Sequence, residues 1–150
     1  MEIVTTNGTD KRFVFLCNKL DEFLYETVGE EKQRSQYDKH NTLKDINHVI
    51  LALIDGEPAG CASFKKHSDS VAEIKRVYVS TNYHGMKLGK TIMNSLEQLA
   101  KTNGYKKLIL ETGIQLKPAI NMYKSLGYKI IDNYEPFIGM EDSICMEKAL

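Results

Sequence analysis

The chain has 150 residues, 42% of them hydrophobic and 27% charged, and its 20 basic and 20 acidic residues give a formal net charge of zero. This length and composition predict one globular domain, residues 1–150, that is large enough to bury a core. Because a surface that binds nucleic acid usually carries a basic excess, the charge balance disfavours nucleic acid as the main partner.

The three cysteines, Cys17, Cys61 and Cys145, are far apart and odd in number. This pattern favours reduced thiols over a disulfide framework, and the spacing does not suit metal ligands, so we expect no metal site. The N-terminus lacks the apolar run of a signal peptide, and no stretch approaches transmembrane length. We therefore expect a cytoplasmic protein with no membrane partner.

The first 47 residues predict a strand, a helix and a polar segment. Residues 2–6 have the composition of a short strand, and Thr9 or Asp10 can cap the helix that follows. Gly29 ends that helix, and the polar residues 30–43 predict a short helix and a loop that can shape a substrate mouth. The apolar residues of the helix recur at helical spacing, at Phe13, Leu16, Cys17, Leu20, Phe23 and Leu24.

A hairpin and a third strand come next. Residues 48–54 predict a buried strand, Asp55-Gly56 is a strong turn signal, and residues 57–66 return. Residues 71–79 predict another strand. These strands come first as an antiparallel set.

The second half predicts helices alternating with strands. An amphipathic helix begins near Leu88 and closes at Asn103-Gly104, and residues 107–112 predict a central strand. Pro118 suits the first turn of another helix, with Gly127 as its C-cap. Late strands are predicted at residues 128–131 and 143–147. Together the elements predict an α/β domain in three layers, with a mixed central β-sheet flanked by helices.

Residues 84–90, HGMKLGK, form a glycine-punctuated loop between a strand and the amphipathic helix. Such a loop can aim several backbone N–H groups at one anion, usually a phosphate. Gly89-Lys90-Thr91 is similar to the end of a nucleoside-triphosphate P-loop. That motif needs four residues between its glycines, whereas only three separate Gly85 from Gly89. No run ending in a magnesium-binding Asp follows, so the pattern disfavours a triphosphate.

The same loop resembles the pyrophosphate loop of the GNAT superfamily of N-acetyltransferases, whose pattern is [Gln/Arg]-x-x-Gly-x-[Gly/Ala]. His84 stands where Gln or Arg is usual, and Lys87 takes the position of the first glycine. Lys87 there implies a backbone that does not need a positive φ, and its ammonium can lie near the phosphates. Simple solvent exposure of Lys87 and Lys90 is the alternative.

A second motif lies 35 residues after the start of the loop, at residues 119–128, AINMYKSLGY. It resembles the family pattern Ala-x-x-x-Tyr-x-x-x-Gly-[Phe/Tyr]. Residues 110–113, LETG, and residues 118–120, PAI, resemble a bacterial GNAT subgroup that reads LETG…PEAI…LY…GY. Two motifs in order, on the expected elements, are far more specific than either alone.

The resemblance implies the GNAT fold and an acyltransferase that uses acetyl-CoA as cosubstrate, with no metal. It implies direct transfer in a ternary complex, and no cysteine lies in either motif to form a covalent intermediate. The implied coenzyme-binding residues are Val77, Tyr78, Val79, His84, Gly85, Met86, Lys87, Leu88, Gly89, Lys90 and Tyr123.

The resemblance also implies two catalytic residues. Glu73 lies at the same distance in sequence from the loop as the catalytic glutamate in the histone-acetylating branch of the family. It would accept a proton from the amine directly or through a water. Tyr123 matches the tyrosine that protonates the leaving sulfur. A phenol of pKa about 10 facing a thiol of pKa about 8.5 acts mainly as a hydrogen-bond donor that completes transfer late. The alternatives are a Glu73 paired with Lys75 or Arg76 and a packed Tyr123.

An oxyanion needs backbone N–H groups, which family members expose by splaying the strand before the loop. Residues 74–79 lack a clean polar–apolar rhythm, which permits a bulge that would produce this splay. Glu111 is read as a packed charge at a strand end. Tyr25, Tyr37 and His40 are candidates to line the acceptor mouth, with surface placement as the alternative.

We expect the acceptor to be a primary amine of a small molecule, an amino acid or a peptide, because zero net charge argues against a nucleosome-like partner. Dimers are common in the superfamily, so homodimer formation stays open. An acyl-CoA-binding regulatory module without turnover is the alternative function. It would keep the loop without needing Glu73 or Tyr123.

Overall fold

The computed structural model describes residues 1–29, 43–85 and 87–150. Within these ranges the chain forms seven strands and three α-helices. The strands are β1 (Glu2–Thr6), β2 (His48–Ile54), β3 (Glu57–Lys66), β4 (Val71–Val79), β5 (Lys107–Gly113), β6 (Lys129–Ile131) and β7 (Ser143–Ala149). The helices are α1 (Lys11–Val28), α2 (Leu88–Thr102) and α3 (Lys117–Ser125).

The seven strands form one mixed sheet in the order β1-β2-β3-β4-β5-β7-β6. Neighbouring strands run antiparallel, except that β4 and β5 run parallel. The predicted strand at residues 107–112 is therefore internal, while β4 occupies the centre. In the described ranges, no helix combines the length and apolar character needed to cross a membrane.

Helices cover both faces of the sheet. Along β2, Val49 and Leu51 pack with α1, whereas Ile50 and Ala52 pack in the cluster that contains α2. Alternate residues of a strand point to opposite faces, so the two clusters are separate layers of core. The predicted α/β domain with a helix-flanked mixed sheet is confirmed.

The helix predicted after residues 2–6 begins as its sequence suggests. Asp10 is the N-cap, and its Oδ1 accepts a hydrogen bond of 2.9 Å from the backbone N–H of Arg12. The helix ends at Gly29. Its predicted apolar stripe is buried over Phe13 to Cys17, but Phe23 is 43% exposed. The prediction for residues 30–43 falls almost entirely outside the described residues; only the short 3₁₀ helix at Leu43–Asp45 is described.

Helix α3, which carries the second motif, has its C-cap one residue before the predicted Gly127. Pro118 lies in the first turn of α3, but Leu126 is the C-cap residue and Gly127 follows it with φ of 98°. A residue with that backbone angle is favoured to be glycine, and it turns the chain back toward the sheet. Tyr128 packs in the core below α2 and α3 before β6 begins at Lys129.

Candidate active site

Strand β4 is irregular at its middle. Cys61 of β3 pairs with Tyr78, whereas Ser63, two residues on, pairs with Lys75, three residues back. The extra residue of β4 forms a bulge, and Arg76 within it has a positive φ of 57°. The bulge that the residue pattern permitted is therefore present.

Strands β4 and β5 also separate at this point. Their parallel pairing covers only Val71, Ala72 and Glu73 of β4 and ends where Glu73 meets Ile109. Beyond that pair the two strands share no ladder, so the sheet is open between them. The splay expected ahead of the glycine loop is confirmed.

A cavity of about 100 Å³ occupies this opening. It is bounded by α1 on one face of the sheet and by the start of α3 on the other, so it passes through the plane of the sheet. Two residues proposed for catalysis, Glu73 and Tyr123, both line it. The lining residues are Leu20, Leu24, Glu73, Ile74, Lys75, Arg76, Val77, Leu110, Glu111, Thr112, Leu116, Ala119 and Tyr123.

The end of β4 presents unpaired backbone to the opening. The N–H of Ser80 donates to the carbonyl of Ala59 at 2.8 Å, and the next pair inward is Val79 with Gly60. Hydrogen-bonded and non-hydrogen-bonded pairs alternate in an antiparallel ladder, so the N–H and C=O of Val79 point away from β3. The C=O accepts a hydrogen bond of 2.8 Å from His84 Nε2. The N–H of Val79 is the donor that faces the gap.

The first turn of α2 supplies further donors. The N–H of Thr91 donates to the carbonyl of Lys87, which leaves the N–H groups of Leu88, Gly89 and Lys90 without an intrahelical acceptor. No side chain within the described ranges caps this end of α2. Together with the helix dipole, these groups make a site for an anion.

The backbone of Lys87 corrects one prediction. Lys87 has φ of 57° and ψ of 22°, the left-handed conformation, although its identity suggested a backbone without a positive φ. Lys87 therefore adopts a left-handed turn, at a steric cost to its side chain. Gly85 has φ of 84°. Met86, which was predicted to bind the coenzyme, lies outside the described residues.

Gly89 allows close packing, whereas its φ is not positive. A Cβ at this position would lie 2.8 Å from the sulfur of Met122 in α3 and 3.8 Å from Val79. The absence of a side chain lets the first turn of α2 approach both α3 and the end of β4. This close approach brings the two sequence motifs together at one end of the opening.

Glu73 is buried and held by two neighbours. The hydroxyl of Tyr134 donates to Glu73 Oε2 at 2.8 Å, and Lys75 Nζ lies 3.4 Å from Oε1. Tyr134 comes from the segment between β6 and β7, which sequence reasoning did not connect with the site. Burial, followed by the charge of Glu73, raises the pKa of Tyr134 above its ordinary value.

Tyr123 is buried, with 6% of its surface exposed, and it lies edge-on to Tyr128 at 5.8 Å. Burial raises the pKa of Tyr123 above its ordinary value, and the charge of Glu111 adds to the effect. The phenol therefore stays protonated throughout the neutral range. Its environment strengthens the expectation of a hydrogen-bond donor over that of a freely dissociating acid.

The structure brings the predicted site residues into two groups. Glu73, Val77 and Tyr123 line the cavity, while the other described coenzyme-binding candidates lie along the end of β4, the loop and the start of α2. Glu111 is the end-of-strand charge that was expected, since it accepts a hydrogen bond of 2.7 Å from Ser143, but it also lines the cavity.

Of the three residues predicted to line the acceptor mouth, only Tyr25 lies in the described part of the chain. Tyr25 is 38% exposed on α1 and is not among the residues that line the cavity. Tyr37 and His40 lie outside the described residues. Lys75, named as a partner for Glu73, does pair with it and also lines the cavity. Arg76 lines the cavity too, but its ion-pair partner is Asp21 and not Glu73. The irregular pattern of β4 was the available signal for both. In the described part of the chain, no three His, Cys, Asp or Glu side chains converge to hold a metal ion.

Comparison with known proteins agrees with this geometry. Residues 13–128 match the model of the acetyltransferase (GNAT) family. The match covers most of the chain, including both motifs, so this protein belongs to the GNAT family. Membership of the narrower bacterial subgroup stays a prediction.

Two curated relatives illustrate the range of similarity. An uncharacterized N-acetyltransferase of Schizosaccharomyces pombe is 32% identical over 89 residues, which are 57% of this chain and 55% of that protein. The match therefore spans only about half the length of that relative. An IAA acetyltransferase of Azospirillum brasilense is 25% identical over 138 residues, covering 91% of this chain and 90% of that protein.

Solved structures show the same fold. A protein described as an acyl-CoA N-acyltransferase, from Klebsiella pneumoniae, has a TM-score of 0.81 at 27% identity, covering 99% of this chain and 97% of that one. A PaiA N-acetyltransferase from Thermoplasma acidophilum, solved in complex with coenzyme A, has a TM-score of 0.75 at 22% identity and covers both chains completely. The predicted GNAT fold is confirmed.

Proposed function

We propose that this protein is an N-acetyltransferase that moves the acetyl group of acetyl-CoA to a primary amine of a small molecule, an amino acid or a peptide. The observation that carries the proposal is the cavity between β4 and β5, where Glu73 and Tyr123 line one space and β4 runs on from it to Val79. Family membership supplies the reaction class, and the geometry supports each part of it.

On the coenzyme side, the pyrophosphate would bind to the N–H groups of Leu88, Gly89 and Lys90 at the start of α2. From there the thioester arm would follow the end of β4 into the opening. His84 fixes the carbonyl of Val79, which leaves the N–H of that residue to stabilise the oxyanion that develops on the thioester. Coenzyme A in the PaiA relative from Thermoplasma acidophilum supports this assignment by analogy of fold.

On the acceptor side, the amine must be neutral to attack, while an alkylammonium has a pKa of about 10.4. Glu73 would accept the proton, directly or through a water, as the carbon–nitrogen bond forms. Tyr123 would donate a hydrogen bond to the departing sulfur. The amine gains the acetyl group and loses one proton, and coenzyme A leaves as the thiol. Transfer is direct in a ternary complex.

The test follows thiol release from acetyl-CoA by the purified chain across a panel of amines. Turnover with at least one class of amine supports the proposal.

The pyrophosphate site has its own variant. Lys90→Ala removes an exposed charge but keeps the backbone N–H groups of the first turn. We expect it to weaken coenzyme binding by about threefold or less, because the donors are backbone groups.

The contrary outcomes are distinct. Binding of acetyl-CoA without turnover across the whole panel would instead support the regulatory module that binds acyl-CoA. Stabilisation against heat by magnesium-ATP but not by acetyl-CoA would contradict both and favour the triphosphate alternative.

A further inference from the structure

Arg76 is the residue of the β4 bulge that has a positive φ. Its φ of 57° is unfavourable for a side chain of this size, and nothing in the turn itself calls for arginine. Bulges commonly re-aim one side chain, and strained positions concentrate where a ligand is bound. Here Arg76 is among the residues that line the cavity between β4 and β5.

The contacts of Arg76 leave one edge of its guanidinium unmatched. Nη1 forms an ion pair with Asp21 Oδ1 of α1, and the arginine side chain is only 8% exposed. Nε is buried, and it has no hydrogen-bond acceptor among the residues that the structure describes. Buried donors are normally paired, so an unpaired one on a cationic group indicates a missing acceptor.

The other charges of the lining do not supply that acceptor. Glu73 is held by Lys75 and by the hydroxyl of Tyr134, and Glu111 accepts a hydrogen bond from Ser143. The lining therefore carries two carboxylates and two cations, and the Nε–H of Arg76 is the buried donor among them that lacks an oxygen in the described part of the chain. This arrangement is complementary to a molecule that carries both an amine and a carboxylate.

We propose that the acceptor is an amine that also carries a carboxylate, such as a free α-amino acid, and that Arg76 binds this carboxylate. The Nε–H and the neighbouring Nη2–H of arginine form a fork that matches two carboxylate oxygens, while Nη1 stays with Asp21. The amine then lies toward Glu73 and Tyr123. This inference rests on the proposed function and narrows its substrate class.

The remaining lining adds a second element of selectivity. Leu20 and Leu24 of α1 and Leu116 before α3 make part of the cavity wall apolar. An aliphatic side chain on the acceptor is therefore accommodated better than a charged one. Among free amino acids, alanine and leucine are the appropriate first probes.

The test compares each L-amino acid with its own carboxamide, which keeps the amine and side chain but removes the negative charge. We expect kcat/KM to favour the acid by about tenfold or more, the range of a charge-assisted bidentate contact. Arg76→Lys keeps a cation for Asp21 but loses the fork. It should lower the ratio of acid to amide activity by about tenfold.

Asp21→Asn is the matched control, because it removes the ion pair and leaves the fork in place. We expect it to change the acid-to-amide ratio by less than about threefold. A purely structural Arg76 would lower both activities together and leave the ratio unchanged in Arg76→Lys. That result, or a wild-type chain that uses amides as well as acids, would overturn the inference.

A binding measurement separates this inference from the proposed function. The N-acetyl amino acids and their amides can be titrated calorimetrically onto the protein without any turnover. Tighter binding of the acids, lost in Arg76→Lys, supports the carboxylate site even if no thiol release is seen with any amine. Equal binding of acids and amides overturns the carboxylate site even if acetyl transfer to other amines is observed.

Discussion

The two halves of β4 have opposite surroundings. In the first half, Ala72 and Glu73 are paired on both sides, with β3 and with β5, and Ala72 is completely buried. After the bulge at Arg76 the strand keeps β3 but loses β5. Residues 75–79 are only partly buried. The first half joins the sheet, and the second half opens it.

This difference shows how the same strand serves both stability and binding. A strand paired on two sides has satisfied backbone groups and offers nothing to a ligand. A strand that has left one neighbour presents free donors, such as the N–H of Val79, without unfolding the rest of the sheet. Substitutions in the two halves should therefore separate stability from activity.

The largest effect is expected in β5, at the residue that pairs with the closed half of β4. Leu108, beside Ala72, has no exposed surface. Leu108→Ala should lower the free energy of unfolding by about 2–5 kcal/mol through lost burial and the cavity that remains. Val77→Ala, in the partly buried open half, should cost less than half as much. Urea unfolding of both variants measures the difference, and equal losses would contradict the contrast between the halves.

The second-largest effect is expected on the catalytic activity of the Tyr123→Phe variant. Removing the hydroxyl group should lower kcat by about 100-fold, which is in the range of general acid catalysis. We expect little loss of stability. Tyr128→Phe is the control, because Tyr128 is a buried neighbour whose hydroxyl donates to Glu97 at 2.8 Å and does not line the cavity. It should lose stability and retain kcat. Equal kcat in the two variants would remove Tyr123 from the reaction.

The next effect concerns alkaline pH. Burial, and then nearby carboxylates, raise the pKa of Tyr123, Tyr128 and Tyr134 above their ordinary value. The folded chain therefore holds these protons after the unfolded chain begins to lose them near pH 10. Their stabilisation is complete below pH 10 and decreases as the pH rises above it, by at most about 1.4 kcal/mol per pH unit for each tyrosine.

Urea unfolding between pH 9 and 11 measures this slope. Tyr128→Phe, which removes one of the three groups, should flatten it. An unchanged slope in that variant would show that Tyr128 does not contribute. The same pKa directions predict that kcat is not lost through ionisation of Tyr123 below about pH 10.

The smallest effect is expected at the loop. Lys87 has a left-handed backbone, so Lys87→Gly should relieve steric strain and raise the free energy of unfolding by about 0.5–1 kcal/mol, after the greater flexibility of unfolded glycine is deducted. Lys87→Ala keeps the strain but removes the ammonium. If both variants bind acetyl-CoA as tightly as the unchanged chain does, the ammonium makes no contribution to affinity. Weaker binding that is common to both would show that the ammonium contacts the phosphates.

Most of the fold could be predicted from local patterns. The hairpin at Asp55-Gly56, the cap at Asp10 and the two amphipathic helices each depend on residues close in sequence. Lys87 could not be predicted in the same way, because its positive φ is imposed by the turn that delivers α2. A rule about intrinsic preference fails where tertiary geometry determines the backbone.

The sequence by itself determined the family, the order of elements and the positions of Glu73 and Tyr123, because these depend on motifs and periodicity along the chain. The tertiary structure alone decided what surrounds them. Tyr134 reaches Glu73 from 61 residues away, and Asp21 reaches Arg76 from 55 residues away. Such contacts depend on how the sheet opens and which layers meet at the opening, and no local pattern contains that information.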